Sequence, residues 1–172
     1  ALTPDENISQ AIEQRDLKLS SDLLETIAKM QPFKFERLVF DLVVAMGYGD
    51  GGNGSRVTQK SNDEGVDAVI NQDPLGLDVI YLQAKRWQND IGRKEIQSFV
   101  GALAGKHASK GVFITTSSFC KTALDYVKNV AHKVILIDGE NLARLMIKYN
   151  VGVSIRQTVF LKRIDSDYFD VD

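Results

Sequence analysis

From residue 33 to 46 the apolar side chains Phe35, Leu38, Val39, Leu42, Val43 and Met46 fall at i, i+3, i+4, i+7, i+8 and i+11, the stripe of an amphipathic helix. Upstream, Ser20-Ser21-Asp22 offers a cap to the apolar LLETIAKM, and residues 7–15 suit another short helix. The period then changes. Between residues 62 and 87 two strand-length apolar runs, VDAVI and LDVIYLQA, flank Asp73-Pro74-Leu75-Gly76, whose proline and glycine supply turn chemistry. A hairpin is expected, with a short strand over 55–59 leading into it. Alternation groups Val66, Ala68 and Ile70 on one face and Asp67 with Val69 on the other. In the second run it sets Tyr81, Gln83 and Lys85 against Ile80, Leu82 and Ala84. A two-residue turn at Pro74-Leu75 would place Asp67 opposite Leu82. A five-residue connection over 73–77 places it opposite Gln83, so that an acid, an amide and an amine share one face.

Downstream, Ile96, Phe99, Val100 and Leu103 mark a helix over 92–108. A strand is expected over 110–116, a helix over 119–131, a strand over 133–137 and a helix over 139–149. Strand, helix, strand, helix in this order implies right-handed crossovers and partly parallel pairing, hence an α/β fold on a mixed sheet. Residues 151–164 alternate imperfectly and suggest an edge or accessory strand. The glycine-rich stretch 47–54 is too irregular for a dinucleotide or phosphate-loop fingerprint and is expected to be a loop.

With 172 residues, 44% hydrophobic and 26% charged, the chain suits one globular domain, preceded by an entry arm over 1–31 that resembles the end of a linker. A single cysteine, Cys120, excludes an intramolecular disulfide, and the sequence shows no leader and no apolar run long enough for a membrane, so a cytoplasmic protein is expected. A net charge of −2 gives no general attraction for nucleic acid, so any contact with DNA must be local. The densest basic stretch is Lys85, Arg86, Arg93, Lys94, Lys106, His107 and Lys110, although such a run is commonly a solvated helix face. His107, His132 and Cys120 have no spacing that suits zinc hydrolysis or thiol catalysis. Thr115, Thr116, Ser117 and Ser118 suit either phosphate contacts or a helix cap.

An Asp on one strand and Gln-x-Lys on the next resembles the PD-(D/E)xK nuclease site in its variant with Gln for the second acid. Further blocks extend the match: Phe35-Glu36-Arg37-Leu38-Val39, Met46-Gly47-Tyr48, Glu64-Gly65-Val66-Asp67, Gln83-Ala84-Lys85-Arg86, Gly111-Val112-Phe113-Ile114-Thr115-Thr116-Ser117 and Leu136-Ile137-Asp138-Gly139. Together, from residue 32 to the end, they resemble the catalytic domain of Mrr-type restriction endonucleases. The chain has Asp63-Glu64-Gly65-Val66-Asp67 where relatives often read Asp-Gly-Gly-Ile-Asp, a change at a neighbour of the expected ligand. Full-length members of that family also carry an upstream winged-helix DNA-binding region, for which residues 1–31 are too short.

The resemblance implies a restriction-endonuclease-like three-layer core, a central mixed sheet flanked by helices, with residues 32–172 as the nuclease domain. It implies a Mg²⁺ site of one or two ions held by Asp67, the Gln83 amide oxygen and the Ala84 carbonyl, with Lys85 orienting water or stabilising the transition state. Glu36 would lend an acid from the first core helix, and Gln97 would support the site from the next. Arg86, Arg93, Lys94 and Lys106 would meet double-stranded DNA. The implied activity is metal-dependent hydrolysis of modified, chiefly methylated, DNA. Two other readings stand beside it: a DNA-binding or assembly module that has lost turnover, and a nuclease acting on junctions or damaged DNA. A homo-oligomer is one expected state of the chain.

Overall fold

The computed structural model describes residues 1–49, 55–60 and 65–169, giving only the backbone for 55–60 and for 65 and 66. Most of the glycine-rich loop and Glu64 lie outside the described residues. The chain opens with one helix, α1 (Pro4–Ala28), in place of the two short ones expected. Its start is fixed by a capping box: the Glu6 carboxylate accepts the Thr3 N–H at 2.6 Å and the Thr3 hydroxyl oxygen accepts the Glu6 N–H at 3.3 Å. No glycine or proline interrupts the next six turns, so Ser20 is no cap; it is buried in mid-helix alongside Leu23 and Ile27.

Helix α2 (Pro32–Ala45) follows, carrying the expected stripe: Phe35, Val39, Leu42 and Val43 are buried. Five strands come in the order β1 (Ser55–Lys60), β2 (Gly65–Asn71), β3 (Val79–Lys85), β4 (Lys110–Thr115) and β5 (Lys133–Ile137), and they lie side by side in that same order. The first three run antiparallel and the last three parallel, the mixed sheet that the element order implies. The parallel pairs are joined through α3 (Arg93–Gly105) and α4 (Lys121–Lys128), and α5 (Gly139–Lys148) follows β5.

Alternation along the strands divides the interior into two cores. Ala68, Ile70, Ile80, Leu82, Ala84 and Ile114 pack with side chains of α1, α2 and α5. On the other face Tyr81, Phe113 and Val134 pack with Ile96, Phe99 and Leu103 of α3 and with Ala123 of α4. The result is three layers, with α1, α2 and α5 beneath the sheet and α3 and α4 above it. Phe99 is the hub of the upper core, stacked on Tyr81 at 5.0 Å between ring centroids and edge-on to Phe113 at 5.4 Å.

Loop length sets the register of the hairpin. The Gln72 N–H donates to the Asp78 carbonyl at 2.8 Å, leaving 73–77 as the five-residue connection, and Asp67 pairs with Gln83 as that length requires. The Asp73 carboxylate organises the loop by accepting the N–H groups of Asp78 at 2.6 Å, Leu75 at 3.0 Å and Leu77 at 3.2 Å. These donors, Asp78 first, hold its carboxyl below the ordinary aspartate range.

The strand expected over 151–164 does not form; residues 153–165 are neither helix nor strand and are mostly exposed. The consecutive Val159, Phe160 and Leu161 put apolar side chains on both faces of any strand built there, so neither face could be solvated.

Gly139 joins β5 to α5 against the end of β4: its N–H donates to the Ser117 carbonyl at 2.8 Å, and a Cβ added there would drive into the Thr116 carbonyl oxygen. Both partners are main chain, so no side chain can yield. Gly139→Ala should therefore cost about 1–3 kcal/mol, the usual penalty for overpacking, and a thermal melt showing an unchanged midpoint would refute this packing.

Candidate active site

Directly opposed strand residues share a face, and the pairs Asp67–Gln83 and Gly65–Lys85 put Asp67, Gln83 and Lys85 together on the upper face. The parallel partner strand extends the row, with Phe113 beside Gln83 and Thr115 beside Lys85. Gln83 and Lys85 are half-buried, at the end of the sheet where β3 and β4 both terminate. In α/β sheets with parallel strands, the carboxyl ends of the strands are the usual place for chemistry.

Asp67 is held unusually for a surface acid. Its Oδ1 is buried and finds no hydrogen-bond partner among the described residues. The buried Tyr81 hydroxyl lies beside this carboxylate. Burial first, then the hydrogen bond and charge of Asp67, raise the tyrosine's proton affinity well above the ordinary phenol value, so Tyr81 stays a neutral donor. A buried carboxylate oxygen without a donor is costly unless something else fills its coordination. That vacancy in its bonding, with an amide oxygen on the facing residue, suits a hard divalent cation. No group of three His, Cys, Asp or Glu side chains capable of holding a metal is found among the described residues. A donor set of one carboxylate, one amide and main-chain carbonyl therefore has no competing centre there. The Ala84 side chain faces the lower core, so only its carbonyl can take part.

Lys85 is steered by the tryptophan two residues on, which shares its side of the chain. The Lys85 Nζ sits 4.4 Å from the centroid of the Trp87 ring, a cation–π contact that orients the ammonium. Trp87 was not assigned a role from sequence, although a tryptophan at i+2 from a strand lysine was a usable signal. The Thr115, Thr116 and Ser117 hydroxyls at the end of β4 are spent on structure. The Thr116 hydroxyl donates to the Trp87 carbonyl at 2.9 Å, the Ser117 hydroxyl to the Asn89 carbonyl at 2.8 Å, and the Thr115 and Ser117 oxygens lie 2.9 Å apart. These bonds tie the β3–α3 connection to the end of β4, the segment that carries Trp87. They neither cap α4, whose N-cap is Cys120, nor stand free for phosphate.

Other expected site residues are placed differently. Glu36 lies half-buried on α2, in the layer beneath the sheet, whereas Asp67, Gln83 and Lys85 belong to its upper face. Gln97 is exposed on α3 instead of sitting at a buried boundary, because α3 turns Ile96, Phe99 and Leu103 inward and leaves position 97 outside that stripe. Arg86 is engaged with α1: its Nη1 donates to the carbonyls of Met30 at 2.6 Å and Ala28 at 3.0 Å. A guanidinium there satisfies carbonyls left open by the end of the helix and complements its dipole, which is a structural task. Of the expected DNA-facing residues, Arg93 and Lys94 are exposed at the start of α3. Lys106, just past its end, lies half-buried over the Tyr81 ring at 5.6 Å.

Known proteins resemble this chain in sequence and in fold. Residues 27–146 match the Mrr catalytic-domain family, described as restriction endonuclease. The chain is 42% identical over 168 residues to the type IV methyl-directed restriction enzyme EcoKMrr of Escherichia coli (strain K12), covering 98% of this chain and 55% of that one. It thus spans about half the length of that relative. Among solved structures, the DNA modification-dependent restriction endonuclease AspBHI is similar with a TM-score of 0.61 and 25% identity, over 79% of this chain and 37% of that one. The MspJI restriction endonuclease, solved with a 27-mer oligonucleotide, shares the fold at a TM-score of 0.52 and 23% identity, over 77% of this chain and 33% of that one. The family match and the identity over nearly the whole chain establish that this chain belongs to the Mrr-type restriction endonuclease family.

Proposed function

We propose that this chain is the nuclease part of a type IV restriction enzyme, a Mg²⁺-dependent endonuclease that hydrolyses phosphodiester bonds in modified, chiefly methylated, double-stranded DNA in the cytoplasm. The observation that carries the reading is the direct pairing of Asp67 with Gln83, with Lys85 two residues along on the same face and the Asp67 Oδ1 buried without a partner among the described residues. Methylated DNA as substrate rests on the similarity to EcoKMrr.

Asp67, the Gln83 amide oxygen and the Ala84 carbonyl would hold one or two Mg²⁺ ions. When bound, the metal supplies Lewis acidity toward a phosphodiester. The protein's own groups do the positioning. Asp67 provides the anchoring negative charge, with the neutral Tyr81 hydroxyl beside it. The Lys85 ammonium, kept in place over Trp87, stabilises the charge that grows on the phosphoryl oxygens and orients the attacking water. Arg93 and Lys94 supply local positive charge to a molecule whose net charge is −2.

The test is cleavage of methylated and unmethylated supercoiled plasmid with Mg²⁺, with and without chelator. Chelator-sensitive cutting of the methylated plasmid is expected, and cutting that survives the chelator would remove the metal from the mechanism. The Gln83 variants examine the site more closely. Gln83→Glu adds a negative charge beside Asp67 with almost no change of shape, so it should lower the Mg²⁺ concentration needed for half-maximal cleavage, whereas Gln83→Ala should raise it. Three superimposable Mg²⁺ titrations would reduce Gln83 to a strand residue.

A further inference from the structure

Where β3 and β4 end, a cleft of about 760 Å³ lies between the β3–α3 connection and α1. Trp87, Gln88 and Asn89 line it from the connection, and Leu24 and Ala28 line it from the helix. Arg86 ties the two sides together by donating to the Ala28 and Met30 carbonyls. The volume falls within the range of about 300–1,000 Å³ usual for pockets that take small ligands. No acidic side chain lines the cleft and the Arg86 guanidinium does, so a polyanion meets attraction there and no repulsion.

The connection is held from behind. The Thr116 hydroxyl donates to the Trp87 carbonyl at 2.9 Å and the Ser117 hydroxyl to the Asn89 carbonyl at 2.8 Å. The Ile91 N–H donates to the Ser118 carbonyl at 2.8 Å, and the Ile91 carbonyl accepts the Cys120 N–H at 2.9 Å. These bonds engage the main chain and leave the side chains unspent: Gln88 and Asn89 are exposed, and their amides make no hydrogen bond among the described residues. A connection already fixed in place loses little further entropy when a ligand binds it. Each amide can both donate and accept, which matches the mixed donors and acceptors on the edge of a nucleobase. A flat aromatic ring, aliphatic side chains on another wall and amides near both form the kind of pocket that holds a base taken out of a duplex.

Trp87 also joins this cleft to the reacting end of the sheet. Its ring carries the Lys85 Nζ at 4.4 Å, while Lys85 itself does not line the cleft. A strand whose phosphate meets Lys85 therefore brings a neighbouring nucleotide to Trp87. We propose that the cleft receives that nucleotide, its base turned out of the duplex against the Trp87 ring and its edge read by Gln88 and Asn89. The assignment rests on DNA being the substrate. Turning a base out costs pairing and stacking energy, so DNA whose pairing is already broken at that place should be preferred.

Trp87 is the only tryptophan in the chain, so intrinsic tryptophan fluorescence reads this position alone. The 172-residue chain is titrated at low salt, with chelator present to prevent cleavage, against two duplexes and two single strands. One duplex is fully paired and the other carries a central run of mismatched pairs; one single strand has all its bases and the other, of equal length, has none. The mismatched duplex should bind about tenfold more tightly than the paired one and quench Trp87 more strongly at saturation. The strand with bases should quench Trp87, whereas the abasic strand, which keeps the phosphate contacts, should not. A variant carrying Gln88→Ala and Asn89→Ala should lose most of the preference for the mismatched duplex and still bind the paired one, with an unchanged circular dichroism spectrum because both side chains are exposed. Equal quenching by the abasic strand, equal affinity for the two duplexes, or a variant that keeps the full preference overturns the proposal and leaves Trp87 as a platform for Lys85 alone. Chelator-sensitive plasmid cleavage beside any of these results would keep the nuclease reading. Base-dependent quenching and preference for the mismatched duplex without plasmid cleavage would keep the cleft and remove the nuclease. A chain that binds none of the four DNAs overturns both.

Discussion

Lys85→Ala should slow cleavage about a hundred- to a thousandfold, the range seen when one preorganised donor to a developing oxyanion is removed, while the fold and most DNA affinity survive. The two effects separate because they draw on different contacts. Lys85 is one cation among several, and losing a single phosphate contact changes the slope of log affinity against log salt by only about one. The aliphatic stem of Lys85 is half-buried at a strand end, so truncation removes little of the core. Trp87 supplies a control. Trp87→Leu retains the ammonium but removes the ring that orients it at 4.4 Å, so its rate should fall between wild type and Lys85→Ala. Single-turnover rates and salt-dependent binding of one methylated duplex by all three proteins would test this. A Lys85→Ala protein cutting at the wild-type rate would exclude the lysine from the chemistry.

Periodicity made most of the fold legible, because β3 and β4 turn alternate side chains to the two cores and α2 and α3 each present one buried stripe. Asp73-Pro74-Leu75-Gly76 announced the hairpin, and the requirement that Asp67 meet Gln83 fixed the loop length that the Asp73 carboxylate enforces. What the sequence hid was tertiary. Ser20 reads as a cap until the capping box at Thr3 is seen to start the helix earlier. Residues 151–164 carry part of the alternation of a strand, but Val159, Phe160 and Leu161 break it by placing apolar side chains on both faces. Arg86 adjoins Lys85 in sequence yet turns to the end of α1, because odd and even positions after a strand diverge to opposite layers. Glu36 shows the limit of a helical wheel: the wheel says which side of α2 is buried, not which face of the sheet α2 covers. The Asp67, Gln83 and Lys85 constellation was readable because all three belong to one hairpin, where local rules set the geometry.

Asp67→Asn should move stability and function in opposite directions. The wild-type carboxylate places a charged oxygen, Oδ1, in a buried position without a partner among the described residues, an arrangement that costs the folded state free energy when no metal is bound. Asparagine has nearly the same shape and no charge, and its amide oxygen can still accept from Tyr81. The metal-free variant should therefore be more stable by on the order of 1 kcal/mol, which for a chain of this size raises the melting midpoint by about 2–4 °C. Mg²⁺ should then reverse the ranking. Wild type gains stability with added Mg²⁺ in proportion to the logarithm of its concentration above the dissociation constant, and Asp67→Asn should gain almost none because the anchoring charge is gone. Cleavage by the variant should fall a thousandfold or more, the loss of about 4 kcal/mol of transition-state stabilisation. Differential scanning calorimetry of both proteins with and without Mg²⁺ gives a readout independent of turnover. Equal melting midpoints without metal, followed by equal upward shifts with it, would show that Asp67 is neither strained nor a ligand, and the site would have to be rebuilt around other residues.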